Sequence, residues 1–164
     1  ISTNCTSCRM IKNGTLRDVK SSKIRAGDII IINAKERVPA DLVILSTSEP
    51  SGSIFIKTDQ LDGETDWKIR RAVRCTHQVL AGNMFAGVQD GVINYAPACD
   101  DIYEFIGSMT WKDRKESLNL DNTAWANTVL AAGQLIGIVI FTGSETRVNM
   151  NSREPNTKIG RFDH

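Results

Sequence analysis

Residues 59–68 read Asp-Gln-Leu-Asp-Gly-Glu-Thr-Asp-Trp-Lys and place acidic side chains around a single glycine. The run before them, Ser53–Thr58, alternates apolar and polar residues as a strand does, and the alternation returns from Trp67 onward. The carboxylates are therefore predicted at the tip of a loop held by two strands, where a carboxylate can act as a positioned acid or base. An Asp-Gly pair alone is equally typical of an ordinary solvated hairpin turn.

Short strand-like runs separated by turn residues extend on both sides of this loop. Asn13-Gly14 is the strongest turn signal and predicts a hairpin over residues 10–19. Further strands are predicted over 28–33, 41–47 and 53–59. The apolar window 128–143 is broken by Gln134 and several glycines and is shorter than the roughly 20 residues of a spanning helix, so it predicts two buried strands joined by a turn. The pattern as a whole predicts a mostly β barrel or jelly roll.

The stretch 75–116 has a weaker pattern. It predicts a short helix over 83–88, a strand over 91–96 and a further ordered segment over 102–111. The charged run 112–116 predicts a solvated turn. Near the end of the chain, residues 144–147 predict the cap of a short helix, and residues 151–158 have the composition of a linker.

Composition bounds the class of protein. The 164 residues include 20 Lys and Arg against 19 Asp and Glu, a net charge of +1. This balance gives no broad electrostatic reason to bind nucleic acid or an anionic membrane surface. The length suits one domain with its own core. No signal-peptide pattern stands at Ile1, so we expect a soluble, untargeted chain that folds as a monomer.

The cysteines allow two interpretations. Cys5 and Cys8 have the spacing of paired zinc ligands, and Cys75 and His77 are candidates to complete the set. A second closely spaced cysteine pair is missing, and Cys99 is left over. The simpler interpretation is reduced cytosolic thiols, with no metal and no cofactor bound by this chain.

The longer motif around the acidic loop resembles that of one known family. Asp62-Gly-Glu-Thr65, followed by Asp66-Trp-Lys68, resembles the actuator-domain loop of type IV P-type ATPases, the phospholipid flippases, and in particular a subgroup thought to work without an accessory subunit. Cation-pumping relatives carry Thr where Asp62 stands. The resemblance continues in four other segments: 18–30 with its Gly-Asp pair, 38–45 with Pro-Ala-Asp-Leu, 120–125 and 137–147.

The resemblance implies a fold and a division of the chain. We expect a distorted jelly roll, similar to a double-stranded β-helix, with a few short helices. Residues 1–9 are then a flexible N-terminal tail, 10–151 a single actuator domain and 152–164 a C-terminal linker. Residues 75–116 match the family poorly and are interpreted as a variable insertion within the domain.

The resemblance also implies which residues act. Glu64 is expected to position and polarise the water that attacks an aspartyl phosphate in a neighbouring domain, a role within the reach of a carboxylate held about 3 Å from that water. Gly63 lets the backbone approach closely. Asp62 and Thr65 are expected to shape the turn, with Asp62 a turn former or a guide for docking.

The whole protein implied by the resemblance is an ATP-hydrolysing membrane enzyme, of which this chain is a part inactive alone. Its partners are the phosphorylation and nucleotide-binding domains of the same polypeptide, with the phospholipid bound by membrane helices. ATP and Mg²⁺ belong to those other domains, because this chain has no Gly-x-x-x-x-Gly-Lys-Ser/Thr loop and no Asp-Lys-Thr-Gly-Thr motif. The domain is expected to face the cytosol, with the parent in Golgi, endosomal or plasma membrane.

Two other functions stay open from the residues. A stand-alone β-rich module would use the oxygens of Asp59, Asp62, Glu64 and Asp66 to bind a ligand or Ca²⁺, although the spacing is not that of the helix-loop-helix calcium site. An actuator of a cation pump is disfavoured by Asp62. Lys68, Arg70, Arg71 and Arg74 either face a phosphorylated partner or, as we favour, solvate an outer strand face. Trp67 and Trp125 are predicted to pack in the core.

Overall fold

The computed structural model describes residues 7–12, 14–80, 91–111 and 113–151, and this part of the chain is built mainly of short strands. The strands are β1 Ser7–Lys12, β2 Thr15–Lys20, β3 Ile29–Asn33, β4 Asp41–Thr47, β5 Ser53–Lys57, β6 Trp67–Arg71, β7 Val92–Tyr95, β8 Gly107–Trp111, β9 Arg114–Leu118, β10 Thr123–Ala124, β11 Val129–Leu130 and β12 Gln134–Phe141. The helices are α1 Asp59–Asp62, α2 Arg74–Leu80 and α3 Arg147–Asn151. The mostly β prediction is confirmed.

The strands form three sheets. The largest has the order β10-β4-β12-β3-β1-β2, and two three-stranded sheets have the orders β11-β5-β6 and β7-β8-β9. All their pairings are antiparallel. The hairpin predicted at Asn13-Gly14 is confirmed, because Lys12 pairs with Thr15. The two strands predicted within 128–143 are also present, but they belong to different sheets.

The six-stranded sheet is covered on both faces, which explains why every residue of β4 is buried. On one face, Leu42 and Ile44 pack with Ile54 and Ile56 of β5 in a first core. On the other face, Val43 and Leu45 of β4 pack against the third sheet and α2 in a second core. Alternation along one strand therefore serves two cores at once.

The segment interpreted as a variable insertion, 75–116, contributes to that second core. Met109 and Trp111 of β8 and Cys75 of α2 are buried in it. Tyr95 donates a hydrogen bond to the carbonyl of Ile140 at 3.2 Å. Its described residues are thus packed into the domain itself.

One prediction in this segment is wrong, one helix was not predicted, and one prediction lies outside the described residues. The charged run 112–116 was predicted as a solvated turn, but Arg114–Leu118 forms β9, whose Arg114 pairs with Trp111 in a tight hairpin. Helix α2 was not predicted; the carboxylate of Glu116 accepts hydrogen bonds from the first N–H groups of this helix, at Arg74 (3.0 Å) and Cys75 (3.2 Å). The helix predicted over 83–88 lies outside the described residues.

The ends of the domain differ slightly from the predicted boundaries. Strand β1 begins at Ser7, so residues 7–9 are part of a sheet and not of the tail assigned to them. The rest of that tail and the linker 152–164 lie outside the described residues. The short terminal helix is present as α3. Within the described ranges, no helix has the length and apolar character needed to cross a membrane.

Candidate functional site

The acidic loop is held by a pair of antiparallel strands, as predicted. β5 and β6 pair over their full length, from Ser53 opposite Arg71 to Lys57 opposite Trp67. The loop from Thr58 to Asp66 therefore closes a hairpin whose ends are fixed by the β11-β5-β6 sheet. Its tip is free of the sheet and exposed from Gly63 to Asp66.

Within the loop, the first acidic residues form one helical turn, α1, where the sequence alone favoured a simple turn. Gly63 ends that turn in the left-handed conformation, with φ of 75°, and its N–H donates to the carbonyl of Asp59 at 3.0 Å. A residue with a side chain is strained at this φ, which favours glycine. A Cβ built on Gly63 meets no atom within 4 Å. The backbone at Gly63 thus lies open to approach from outside.

Asp62 organises the loop through its carboxylate. The hydroxyl of Thr58 donates to this carboxylate and lies 3.1 Å from each oxygen, and the N–H of Glu64 donates to Asp62 Oδ1 at 3.0 Å. These bonds fix the direction in which the chain leaves Gly63. Sequence reasoning assigned a turn-holding hydroxyl to Thr65, and the structure shows that the hydroxyl of Thr58 also holds the turn. The signal was the spacing of Thr58 and Asp62, four residues apart across one helical turn.

Glu64 lies at the exposed tip, with about half of its side chain (52%) accessible. Its Oε1 accepts a charge-assisted hydrogen bond from the ammonium of Lys68, whose side chain is 32% exposed. The hydrogen bond that Lys68 donates to Glu64 is the largest cause that raises the pKa of Lys68 above its ordinary value. The candidate base is therefore a carboxylate at the surface with a counter-ion beside it.

The basic residues after the loop do not all solvate an outer face, as was predicted. Arg71 and Arg74 are exposed, but Arg70 is buried and Lys68 is partly covered. The pairing of β5 and β6 explains this, because Ile54 lies opposite Arg70 and Ile56 opposite Lys68. A strand register set by two core isoleucines turns these basic side chains toward the same face.

The same register corrects the prediction for Trp67. Its side chain is 46% exposed, and it shares the outer face of the hairpin with Phe55 and Ile69. The ammonium of Lys57 lies 5.5 Å from the centre of the Trp67 ring, in a cation–π contact. Trp125, in contrast, is 1% exposed, and the prediction that it packs in the core is confirmed.

A buried carboxylate, Asp41, accepts hydrogen bonds that fix the start of α3, the helix that lies next to α1. Its oxygens accept hydrogen bonds from the N–H groups of Ala126 (2.8 Å) and of Arg147, the first residue of α3 (2.7 Å). Burial raises the pKa of Asp41 to about 6, against the opposing effect of these bonds and of the Arg147 charge. Helix α3 contacts α1, so Asp41 fixes the first residue of a helix that packs against the acidic loop.

Arg147 links this helix to the 99–104 segment. Its guanidinium donates to the carbonyls of Cys99 (3.3 Å) and Glu104 (3.4 Å) and lies 4.7 Å from the ring centre of Trp125. The side chain is 1% exposed. Sequence reasoning named neither Asp41 nor Arg147 as structural centres, because nothing in their local pattern indicates that they meet across 106 positions.

The cation-binding interpretations find no geometric support in the residues described. No group of three or more His, Cys, Asp or Glu side chains is placed to hold a metal ion in 7–12, 14–80, 91–111 and 113–151. The ring of His77 is engaged at both nitrogens, with Ser46 Oγ at 2.9 Å and the carbonyl of Pro50 at 3.0 Å. Cys8, Cys75 and Cys99 are free thiols, and Cys5 lies outside the described residues.

Comparison with known proteins identifies the class. The family model of the P-type ATPase actuator domain matches residues 2–153. The chain belongs to this family. The crystal structure of a zinc-transporting PIB-type ATPase in the E2.Pi state matches the fold with a TM-score of 0.53 at 14% identity, over 90% of this chain and 16% of that one.

The relatives in sequence are more specific. The chain is 49% identical over 150 residues to the probable phospholipid-transporting ATPase IIB of Mus musculus, and 44% identical over 149 residues to the phospholipid-transporting ATPase NEO1 of Saccharomyces cerevisiae. These matches cover 88% and 90% of this chain but 13% of each relative. The chain thus corresponds to a small part of the proteins it resembles. The actuator assignment is confirmed over the stand-alone module.

Proposed function

We propose that this chain is the cytosol-facing actuator domain of a phospholipid-transporting P-type ATPase, and that its Glu64 loop promotes hydrolysis of the aspartyl phosphate formed in another domain of the same polypeptide. The observation that carries the proposal is the exposed carboxylate of Glu64 on a loop braced by Asp62 and Thr58. The phospholipid part rests on the relatives, whose names state that activity.

The chemistry required of Glu64 is simple. Water attacks the phosphorus of the aspartyl phosphate, a new P–O bond forms, and the bond from phosphorus to the aspartate oxygen breaks and leaves a carboxylate. The water gives up a proton, and Glu64 is the group proposed to accept it. A carboxylate in this role contributes on the order of 10² to 10⁴ in rate when it lies about 3 Å from the water.

The rest of the loop serves placement. Gly63 leaves its backbone open to a phosphorylated partner, because it has no side chain and a Cβ built on it meets no atom within 4 Å. Asp62 holds the N–H of Glu64 and so fixes where that side chain begins. Thr65 is exposed at the tip, and its role in the turn stays a prediction. Rigid placement matters because misplacement of a catalytic group by about 1 Å can cost on the order of a hundredfold in rate.

The part of the chain that the structure describes offers no fit for Mg²⁺, and the sequence has no nucleotide-binding motif. The described carboxylates form no cluster of metal-ligand geometry, and the loop oxygens of Asp62 and Glu64 already bond Thr58, the Glu64 N–H and Lys68. The sequence has no phosphate-binding glycine loop. We therefore assign nucleotide and metal to other domains of the parent enzyme, as the lipid is assigned to its membrane helices.

The steady-state phosphoenzyme level of the full-length enzyme tests the proposal. The parent carrying Glu64→Gln is incubated with labelled ATP beside the wild type and beside Asp62→Ala. We expect Glu64→Gln to raise the phosphoenzyme level and abolish lipid-stimulated ATP hydrolysis, and Asp62→Ala to do so partly. A Glu64→Gln enzyme with wild-type phosphoenzyme level and lipid transport would remove Glu64 from the mechanism.

A further inference from the structure

The Glu64–Lys68 ion pair lies in a loop that is otherwise acidic. Between residues 59 and 68 the chain carries four carboxylates, Asp59, Asp62, Glu64 and Asp66, and one basic side chain, Lys68. The proposed target, an aspartyl phosphate, is itself anionic. Like charges repel more strongly as they leave water, so a loop of this charge is repelled by the group that it must reach.

Lys68 is placed to offset the repulsion between the carboxylate of Glu64 and the phosphoryl group. The register of β6 puts Lys68 opposite Ile56, on the face of the hairpin that carries the core isoleucines. From there its ammonium reaches forward to Glu64 Oε1. The hydrogen bond that Lys68 donates to Glu64, and then the charges of Glu64, Asp62 and Tyr103, raise the pKa of Lys68 against an opposing effect of desolvation. These neighbours favour the charged form of Lys68.

We propose that Lys68 is a positioning residue of the dephosphorylation step, whose ammonium neutralises Glu64 and fixes its orientation while the loop approaches the phosphorylated aspartate. The inference rests on the proposed function of Glu64. Lys68 acts through Glu64 and keeps its own proton throughout; only the water loses a proton, to Glu64. The ion pair occupies Oε1 and leaves the second carboxylate oxygen as the acceptor for the water.

A counter-ion has two opposing effects on a general base. The ammonium makes Glu64 a weaker base, which slows proton transfer, and it also lowers the repulsion between Glu64 and the phosphoryl group. The repulsion involves the full charge of the phosphoryl oxygens, whereas proton transfer in the transition state is partial. We therefore expect the electrostatic help to prevail, and loss of Lys68 to slow phosphoenzyme breakdown.

Phosphoenzyme decay in the full-length enzyme tests this inference, with Lys68→Met, Lys68→Arg, Glu64→Gln and the double variant compared. We expect Lys68→Met to slow decay about a hundredfold, the order of loss expected when a catalytic group is misplaced by about 1 Å. Lys68→Arg should restore decay to within about threefold, since a guanidinium also pairs with a carboxylate. In the Glu64→Gln background, Lys68→Met should add no further loss, because its partner charge is already absent.

Lys57→Met is the matched control, because it removes the same side chain from the same hairpin on its outer face, over Trp67. It should decay at the wild-type rate. If Glu64→Gln decays slowly but Lys68→Met decays at the wild-type rate or faster, the inference about Lys68 is wrong while the proposed function of Glu64 stands. An additive loss in the double variant, or an equal loss in Lys57→Met, would also overturn the inference. Wild-type decay in Glu64→Gln would overturn the proposed function and the inference together.

Discussion

Replacement of Asp41 by asparagine tests how much the hydrogen bonds of this buried carboxylate, which hold helix α3 beside the loop, contribute to stability. Both carboxylate oxygens accept buried backbone N–H groups, from Ala126 and Arg147. An asparagine has one carbonyl oxygen and one NH₂ group, so one backbone donor loses its acceptor and faces another donor. A buried donor left unsatisfied costs about 1–3 kcal/mol, and the facing NH₂ adds to it. We expect a loss of about 2–4 kcal/mol of unfolding free energy.

The loss of unfolding free energy caused by Asp41→Asn should become smaller as the pH rises. Asp41 has a folded-state pKa of about 6, above its ordinary value of 3.8. The folded protein therefore binds a proton more readily than the unfolded chain, and the stability that this group contributes is full below pH 3.8 and is lost as the pH rises through about 6. Asparagine does not titrate. The stability gap between wild type and variant should thus be about 1 kcal/mol larger at pH 5 than at pH 7.5.

Urea unfolding of the 164-residue chain, followed by tryptophan fluorescence at both pH values, measures these quantities. Comparison of the two proteins at each pH cancels the titration of all other groups. Asp113→Asn is the control, since Asp113 is exposed, and it should change stability by less than about 0.5 kcal/mol. The reasoning would be refuted if Asp41→Asn unfolds within about 0.5 kcal/mol of wild type, or if the gap grows as the pH rises.

Three further predictions follow from the loop and the metal-site geometry. Thr58→Val should slow phosphoenzyme breakdown in the parent about three- to tenfold, because Asp62 loses its hydroxyl donor. Thr65→Val should slow it less. Equal effects of the two substitutions would contradict the assignment of the main turn-holding hydroxyl to Thr58. The isolated chain should keep its melting temperature in the presence of a chelator, and a large fall would revive the zinc set at Cys5 and Cys8. Calorimetry with Ca²⁺ and chemical shifts with Mg-ATP should show no tight stoichiometric binding, and saturable micromolar binding of either would contradict the assignment of both to other domains.

The parts of the fold that were predictable have local causes. The Asn13-Gly14 turn, the apolar run Leu42–Leu45 of β4 and the glycine-broken window 128–143 each indicate their structure within a few residues. The wrong predictions depend on distant partners. Residues 112–116 read as a charged turn, and only the structure shows that Glu116 caps α2 and that Leu118 of the same strand enters the core. Asp41 gives no sign of its role until Arg147 lies beside it.

The candidate site shows the same division. Glu64 at an exposed tip and Gly63 in an open approach were expected from the motif, and the structure places both there. The faces of Trp67 and Arg70 were assigned the wrong way round, because their own alternation favours Trp67 as the core residue. The core isoleucines of β5 decide the register, and they turn the apolar indole outward and the charged Arg70 inward.

The most direct test of the account is the decay of the phosphoenzyme after a chase with unlabelled ATP, in the full-length parent carrying Glu64→Gln. Glutamine keeps the shape and one acceptor oxygen but loses the charge and the basicity. We expect normal formation of the phosphoenzyme and a decay slowed on the order of 10² to 10⁴. Decay at the wild-type rate, with lipid transport unchanged, would contradict the claim that Glu64 promotes hydrolysis.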